Sequence, residues 1–255
     1  MGEQDDERAR QRPHAAAAGS RPKTGLDSLR LSVAPDSAPV SGGFQVQVHV
    51  NGVEVTAAGA GLGMDPYDLF VPVNRLVAGP GPQTVPIARC TCGVYGCAST
   101  DITIIPDGDL VHWEWSQNVP MPRGATFNAA DYDVEVTRAA ADHSWETPQR
   151  TAERLVLTQV DRDHLARYRL RPDWVGADRR DADRFRIALR FGDDYQVFVN
   201  VAWRGRSPEA LARDLCTTLT RPPQHWDATW HAISPRHDAP PPIVGPRWRR
   251  ERVGR

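Results

Sequence analysis

Apolar and polar residues alternate along Phe44–Val50. Phe44, Val46, Val48 and Val50 form one row; Gln45, Gln47 and His49 form the other, the period of a half-buried strand. Asn51-Gly52 follows, a pair suited to a two-residue hairpin turn with positive φ at both positions, and Val53 and Val55 start the return strand. A second hairpin is predicted from Ile102 and Ile104, through Pro106-Asp107-Gly108-Asp109, to Val111, Trp113 and Trp115. His112 and Glu114 fall on the opposite face of that return strand. The clearest hairpin joins Phe185, Ile187, Leu189 and Phe191 to Tyr195, Val197, Val199, Val201 and Trp203 across Gly192-Asp193-Asp194.

Between the hairpins the period changes to that of helices. Asn128 is placed as an N-cap, with Phe127 and Tyr132 as a hydrophobic staple, and predicts a helix to about Asp142. A strand is the rival there, because Tyr132, Val134 and Val136 also alternate with acids. Thr147-Pro148 and Ser207-Pro208-Glu209 each supply a cap and a first-turn proline. Ala152, Leu155 and Val156 mark the inner stripe of the first of these helices. Ala212, Leu215, Cys216 and Leu219 mark that of the second. A short helix is expected around Asp163–Tyr168, and another at Pro66–Phe70. The rest of 58–86 reads as a Gly/Pro-rich loop, and 173–183 as a charged loop.

These patterns predict an α+β protein of antiparallel hairpins packed with several helices. Residues 1–42 read as a disordered tail, 43–233 as the globular region and 234–255 as a Pro/Arg-rich tail. Whether 43–145 and 146–233 are one unit or two subdomains stays open; the lack of an obvious linker favours one.

Composition sharpens the functional classes. With 31 basic and 32 acidic residues the net charge is −1, so no global field steers the chain to nucleic acid. Lys23 is the only lysine, a balance that reads as the codon bias of a high-GC bacterium. No run of about 18 apolar residues is present, and the N-terminus has no hydrophobic signal core. The expectation is a cytoplasmic protein with no membrane partner.

The densest chemistry lies in Cys90-Thr91-Cys92-Gly93-Val94-Tyr95-Gly96-Cys97, which holds three of the chain's 4 cysteines. In a reducing compartment clustered cysteines are metal ligands or catalytic more often than disulfides. Zinc takes four tetrahedral ligands and favours thiolate sulfur. Cys90, Cys92 and Cys97 therefore need a fourth donor, for which His112 on the next hairpin is the first candidate. Cys216 is the second, with Asp101, His49 and His143 behind it. A Cys92–Cys97 disulfide, a reactive thiolate and three quiet thiols in a turn remain as rivals. No phosphate-binding loop, dinucleotide fingerprint or serine nucleophile elbow is present.

Several segments taken together resemble a family of uncharacterised proteins from high-GC bacteria that carry a C-x-C-G-x2-G-C segment before a tryptophan-bearing strand. They are Val50-Asn51-Gly52, Pro86-Ile87-Ala88-Arg89 leading into the cysteines, Val111-His112-Trp113 and Phe127-Asn128-Ala129-Ala130-Asp131-Tyr132. That resemblance spans roughly residues 44–160 and implies a family without an activity. The functional expectation is a non-enzymatic binding or interaction module, with a protein partner of unidentified kind and a structural zinc site. The alternative is a thiol-dependent redox protein or enzyme using Cys92 or Cys97.

Overall fold

The half-buried rows become strands whose apolar side chains share a core. The computed structural model describes residues 25–36, 43–92, 96–178, 181–234 and 239–251. Strand β1 (Leu29–Pro35), β2 (Phe44–Val50) and β3 (Val53–Glu54) form an antiparallel sheet in that order. Asn51 (φ 53°) and Gly52 (φ 79°) make the turn, as the sequence requires. β1 corrects the expected tail. Leu31 on it is buried against Val46, Val48 and Val50, so order begins well before residue 43. The signal was a short alternation of Leu29, Leu31 and Val33 amid Ser and Pro. Residues 1–24 and 37–42 of that tail lie outside the described residues.

A second sheet follows: β4 (Gly61–Gly63), β5 (Gln83–Cys90), β6 (Ser99–Asp107), β7 (Leu110–Ser116) and β8 (Ala125–Asn128), antiparallel and in sequence order. Helices α1 (Val55–Ala58) and α2 (Pro66–Phe70) lie in the connections. Part of the expected 58–86 loop is thus strand, because β4 finds its partner on β5, far along the chain. β4 also crosses β2. Val46 N–H donates to Met64 O at 2.9 Å, and Gly63 N–H donates to the Gln45 side chain at 2.9 Å. A Cβ on Gly63 would stand 2.1 Å from Val46 O, so only glycine allows this approach.

Helix α3 (Ala129–Ala141) closes this half, which excludes the rival strand. Asn128 Oδ1 accepts from Asp131 N–H at 3.2 Å, and Tyr132, Val136 and Ala139 are buried. The expected staple becomes an aromatic cluster, with Phe127 and Tyr132 ring centroids 5.6 Å apart and Trp113 5.1 Å from Phe127. Tyr132 Oη donates to Leu76 O at 2.6 Å, which satisfies the one polar atom that its burial would otherwise strand.

The C-terminal half has its own sheet. Helices α4 (Pro148–Gln159) and α5 (Arg162–Ala166) precede β9 (Leu170–Asp178), β10 (Asp181–Phe191) and β11 (Tyr195–Ala202). Helix α6 (Pro208–Leu219), β12 (Ala228–Ala232) and β13 (Arg249–Arg250) complete it. Sheet order is β13-β12-β11-β10-β9, antiparallel except for the β12–β13 pair. Thr147 and Ser207 cap α4 and α6 as expected. α4 lies against both α6 and β9.

One expectation fails in this half. The charged stretch 173–183 is mostly strand. Its alternation is obscured by a register shift between Asp181 and Phe185, and by another where Pro172 and Trp174 face Leu189 and Ala188. Residues 239–251 of the Pro/Arg-rich segment are held on the surface of this half. Trp248 is buried, stacks on Trp226 at 6.2 Å and donates from Nε1 to Pro223 O at 2.9 Å, while β13 pairs with Thr229 and Trp230. Ile243 and Val244 also pack on the core. Apolar packing, the β12–β13 pairing and hydrogen bonds such as Tyr195 Oη to Ala239 O act together to dock it.

The buried apolar side chains form two clusters, one running from Leu31 to Ala139 and the other from Ala152 to Trp248. Between them lies a polar and aromatic junction. Trp145 packs 5.0 Å from Phe44 and 5.7 Å from Tyr67, and the Arg150 guanidinium sits 4.2 Å over the Tyr67 ring. No helix among the described residues is long and apolar enough to cross a membrane.

Candidate metal centre

The β5–β6 connection gathers the three cysteines. β5 ends at Cys90, and Arg89 pairs with Ser99 at the start of β6. Cys90 N–H donates to Ala98 O at 3.0 Å, which closes the mouth of the turn. Gly96 has φ +83°, in the left-handed region that glycine enters without strain. The sulfurs of Cys90, Cys92 and Cys97 consequently lie within 4.8 Å of one another. None of the three is in a disulfide; Cys92 and Cys97 are exposed and Cys90 is half-buried.

This spacing is close to that of a coordinated trio. Tetrahedral Zn–S bonds of about 2.3 Å place sulfurs about 3.8 Å apart. The trio reaches that separation by closing about 1 Å at most, within the reach of small χ1 rotations on an exposed turn. The proximity of the thiols couples their protons. Cys92 N–H points to Cys90 Sγ at 3.5 Å and holds the Cys90 thiol below its ordinary value, helped by the thiols of Cys92 and Cys97. The same coupling with Cys90 and then Cys92 pushes the Cys97 thiol up to about 11. A cation replacing these protons removes the conflict, since three thiolates around one metal ion no longer compete for one another's protons.

The structure does not bring His112 to this trio. In the register of the sheet His112 sits opposite Ile105 and Thr126, whereas the cysteines lie beyond Ser99. The span from Ser99 to Ile105 is about 20 Å of strand at about 3.3 Å per residue. His112 is instead buried, with Nδ1 2.9 Å from Thr126 Oγ1 and Nε2 3.4 Å from Asp107 Oδ2. It lines a cavity of about 620 Å³ together with Asp27, Trp115, Met121 and Arg123. The expected fourth ligand is therefore corrected. Adjacent hairpins are neighbours, but their positions diverge along the strand, and only register shows how far.

The other candidates are also elsewhere. Cys216 lies on α6 against the second core cluster, and burial pushes its thiol up to about 11. Asp101 faces Pro86 and Ser116 across the sheet, His49 sits on β2, and His143 is 3.5 Å from Glu146. Among the described residues, Cys90, Cys92 and Cys97 form a group of three metal-binding donors that none of these joins.

One charged cluster was missed in the sequence. Asp65, Arg150 and Glu153 meet at the junction of the two cores, with Arg150 Nη1 3.0 Å from Glu153 and Nη2 2.5 Å from Asp65. Burial is the leading influence on Glu153 and raises its carboxyl against the hydrogen bonds from Gln149 and Arg150. The available signal was Glu153 beside Ala152, on the inner side of an amphipathic helix.

Compared with models of protein families, with curated proteins and with solved structures, the chain matches none. The functional reading therefore rests on the chain's own residues.

Proposed function

We propose that this chain is a non-enzymatic binding or interaction protein carrying one thiolate-bound metal ion, zinc, on the Cys90–Cys97 turn. The convergence of three sulfurs, none in a disulfide, within 4.8 Å carries the reading. Thiolate donors favour zinc and other soft ions over oxygen-seeking ones such as magnesium or calcium. Zinc's role is structural: bonds from Cys90, Cys92 and Cys97 hold the glycine-containing turn together. The cavity beside His112, with an apolar wall and a few polar groups, is the second feature expected of a binding protein.

Metal analysis of the purified full-length chain tests this. About one zinc per chain is expected, and it is lost when Cys90, Cys92 and Cys97 are replaced by serine. Absence of bound metal after purification and after zinc reconstitution would refute the proposal.

A thiol enzyme is the second reading, favoured by the exposure of Cys92 and Cys97. A metal-free protein with one fast-alkylating cysteine would favour it over the metal site.

A further inference from the structure

The donor count of the trio has a consequence for what a bound ion does. Closed structural zinc sites use four protein ligands, whereas three protein ligands leave one position for an outside donor. Here three thiolates converge, and among the described residues no other thiol, imidazole or carboxylate joins their group. The rest of the turn (Thr91, Gly93, Val94, Tyr95 and Gly96) contains no thiol, imidazole or carboxylate. Cys92 and Cys97 are both exposed, so the sulfur triangle stands at the protein surface.

Building on the metal reading above, we infer that the ion keeps a coordination position open to solvent, and that this position takes a neutral nitrogen donor of the imidazole class. Charge selects the donor. Three thiolates on a divalent ion leave a net charge of −1. A fourth thiolate or another anion would raise it to −2. The neighbouring guanidinium of Arg89 is engaged by Asp36, whose side chain is buried, at 3.2 Å and does not offset that increase. An imidazole leaves the charge unchanged and is a common zinc ligand. The turn is then a docking point for a histidine from outside this fold, with the metal ion as the joint.

Cobalt(II) substitution tests this, because its absorption reports both ligand geometry and the number of thiolates. The full-length chain is loaded with cobalt and titrated separately with imidazole, azide and mercaptoethanol. Imidazole should shift the ligand-field bands and saturate at one equivalent per cobalt, while the sulfur-to-cobalt charge-transfer intensity stays constant. Azide and mercaptoethanol should leave the spectrum unchanged over the same range. A spectrum that ignores imidazole overturns the open position. A charge-transfer rise of about one third with mercaptoethanol, the gain from three to four thiolates, overturns the neutral-donor assignment. If only a His14→Ala, His237→Ala double variant responds to imidazole, the chain fills the position itself and the inference fails. A chain that binds no cobalt at all instead refutes the underlying metal reading, so the two failures are distinguishable.

Discussion

Arg150 on α4 donates from a single nitrogen, Nη2, to both carboxylate oxygens of Asp65, at 2.6 and 2.5 Å. Asp65 is itself the N-cap of α2 and accepts from Tyr67 N–H at 2.9 Å. One guanidinium thus ties a helix of the second core to the start of a helix in the first. Its Nη1 meanwhile neutralises the buried Glu153.

Arg150→Ala should destabilise the protein by about 3 kcal/mol, since it leaves Glu153 buried without its cation. Adding Glu153→Gln should recover part of that loss. Urea denaturation of the single and double variants measures both. Separation of the transition into two steps in Arg150→Ala would show that this joint couples the two cores.

Asp27 gives the clearest pH signature. Burial by itself would raise its carboxyl. Hydrogen bonds from Arg123, Thr126 N–H and Asn51 outweigh that and hold it below its ordinary value of 3.8. A carboxyl depressed in the folded state stabilises the protein above the unfolded value, and this contribution is lost as pH falls through the folded value. Wild type should therefore lose stability more steeply than Asp27→Asn as pH drops below about 4. Denaturant midpoints of the two proteins across that range provide the check, and parallel curves would contradict it.

His112→Ala should leave the zinc content of the chain unchanged, because His112 is remote from the sulfur trio. It should still cost about 2 kcal/mol, by removing the buried partner of Thr126 Oγ1. Metal analysis and thermal unfolding of one preparation read both effects. A loss of zinc without a loss of stability would restore His112 as a ligand.

Trp248→Ala should destabilise by about 3–5 kcal/mol, the usual cost of emptying a large buried site. The indole stacks on Trp226, and its Nε1–H bonds Pro223 O. Truncation after residue 234 should act in the same direction and also remove β13. Thermal denaturation followed by tryptophan fluorescence should show a lowered midpoint for both; an unchanged midpoint would mean the tail is not held in solution.

Much of the local structure was legible before any coordinates. The Asn51-Gly52 turn, the caps at Asn128, Thr147 and Ser207, and the hairpin across Gly192-Asp193-Asp194 all follow from short-range chemistry, and all are present. Elements with little local signal were not legible. β4 is three residues with glycine at both ends, β9 contains a proline and a register shift, and β13 is a pair of arginines. β4 and β13 exist because distant strands, β5 and β12, offer hydrogen bonds to them, and β9 is a hairpin arm of β10 whose irregular pairing hides its alternation.

The cysteine site divides in the same way. By itself the sequence determined that three thiols lie within eight residues, close enough along the chain for a turn with Gly93 and Gly96 to gather them. It also determined the alternation and caps that make an α+β chain. Tertiary structure alone decided that Cys90, Cys92 and Cys97 converge at an exposed turn, that His112 lies elsewhere beside Thr126, and that the C-terminal segment is docked through Trp248. Turn and cap preferences act over a few residues. Strand register and core docking are set by which distant segments bury apolar surface together, and they fix the distances on which coordination depends.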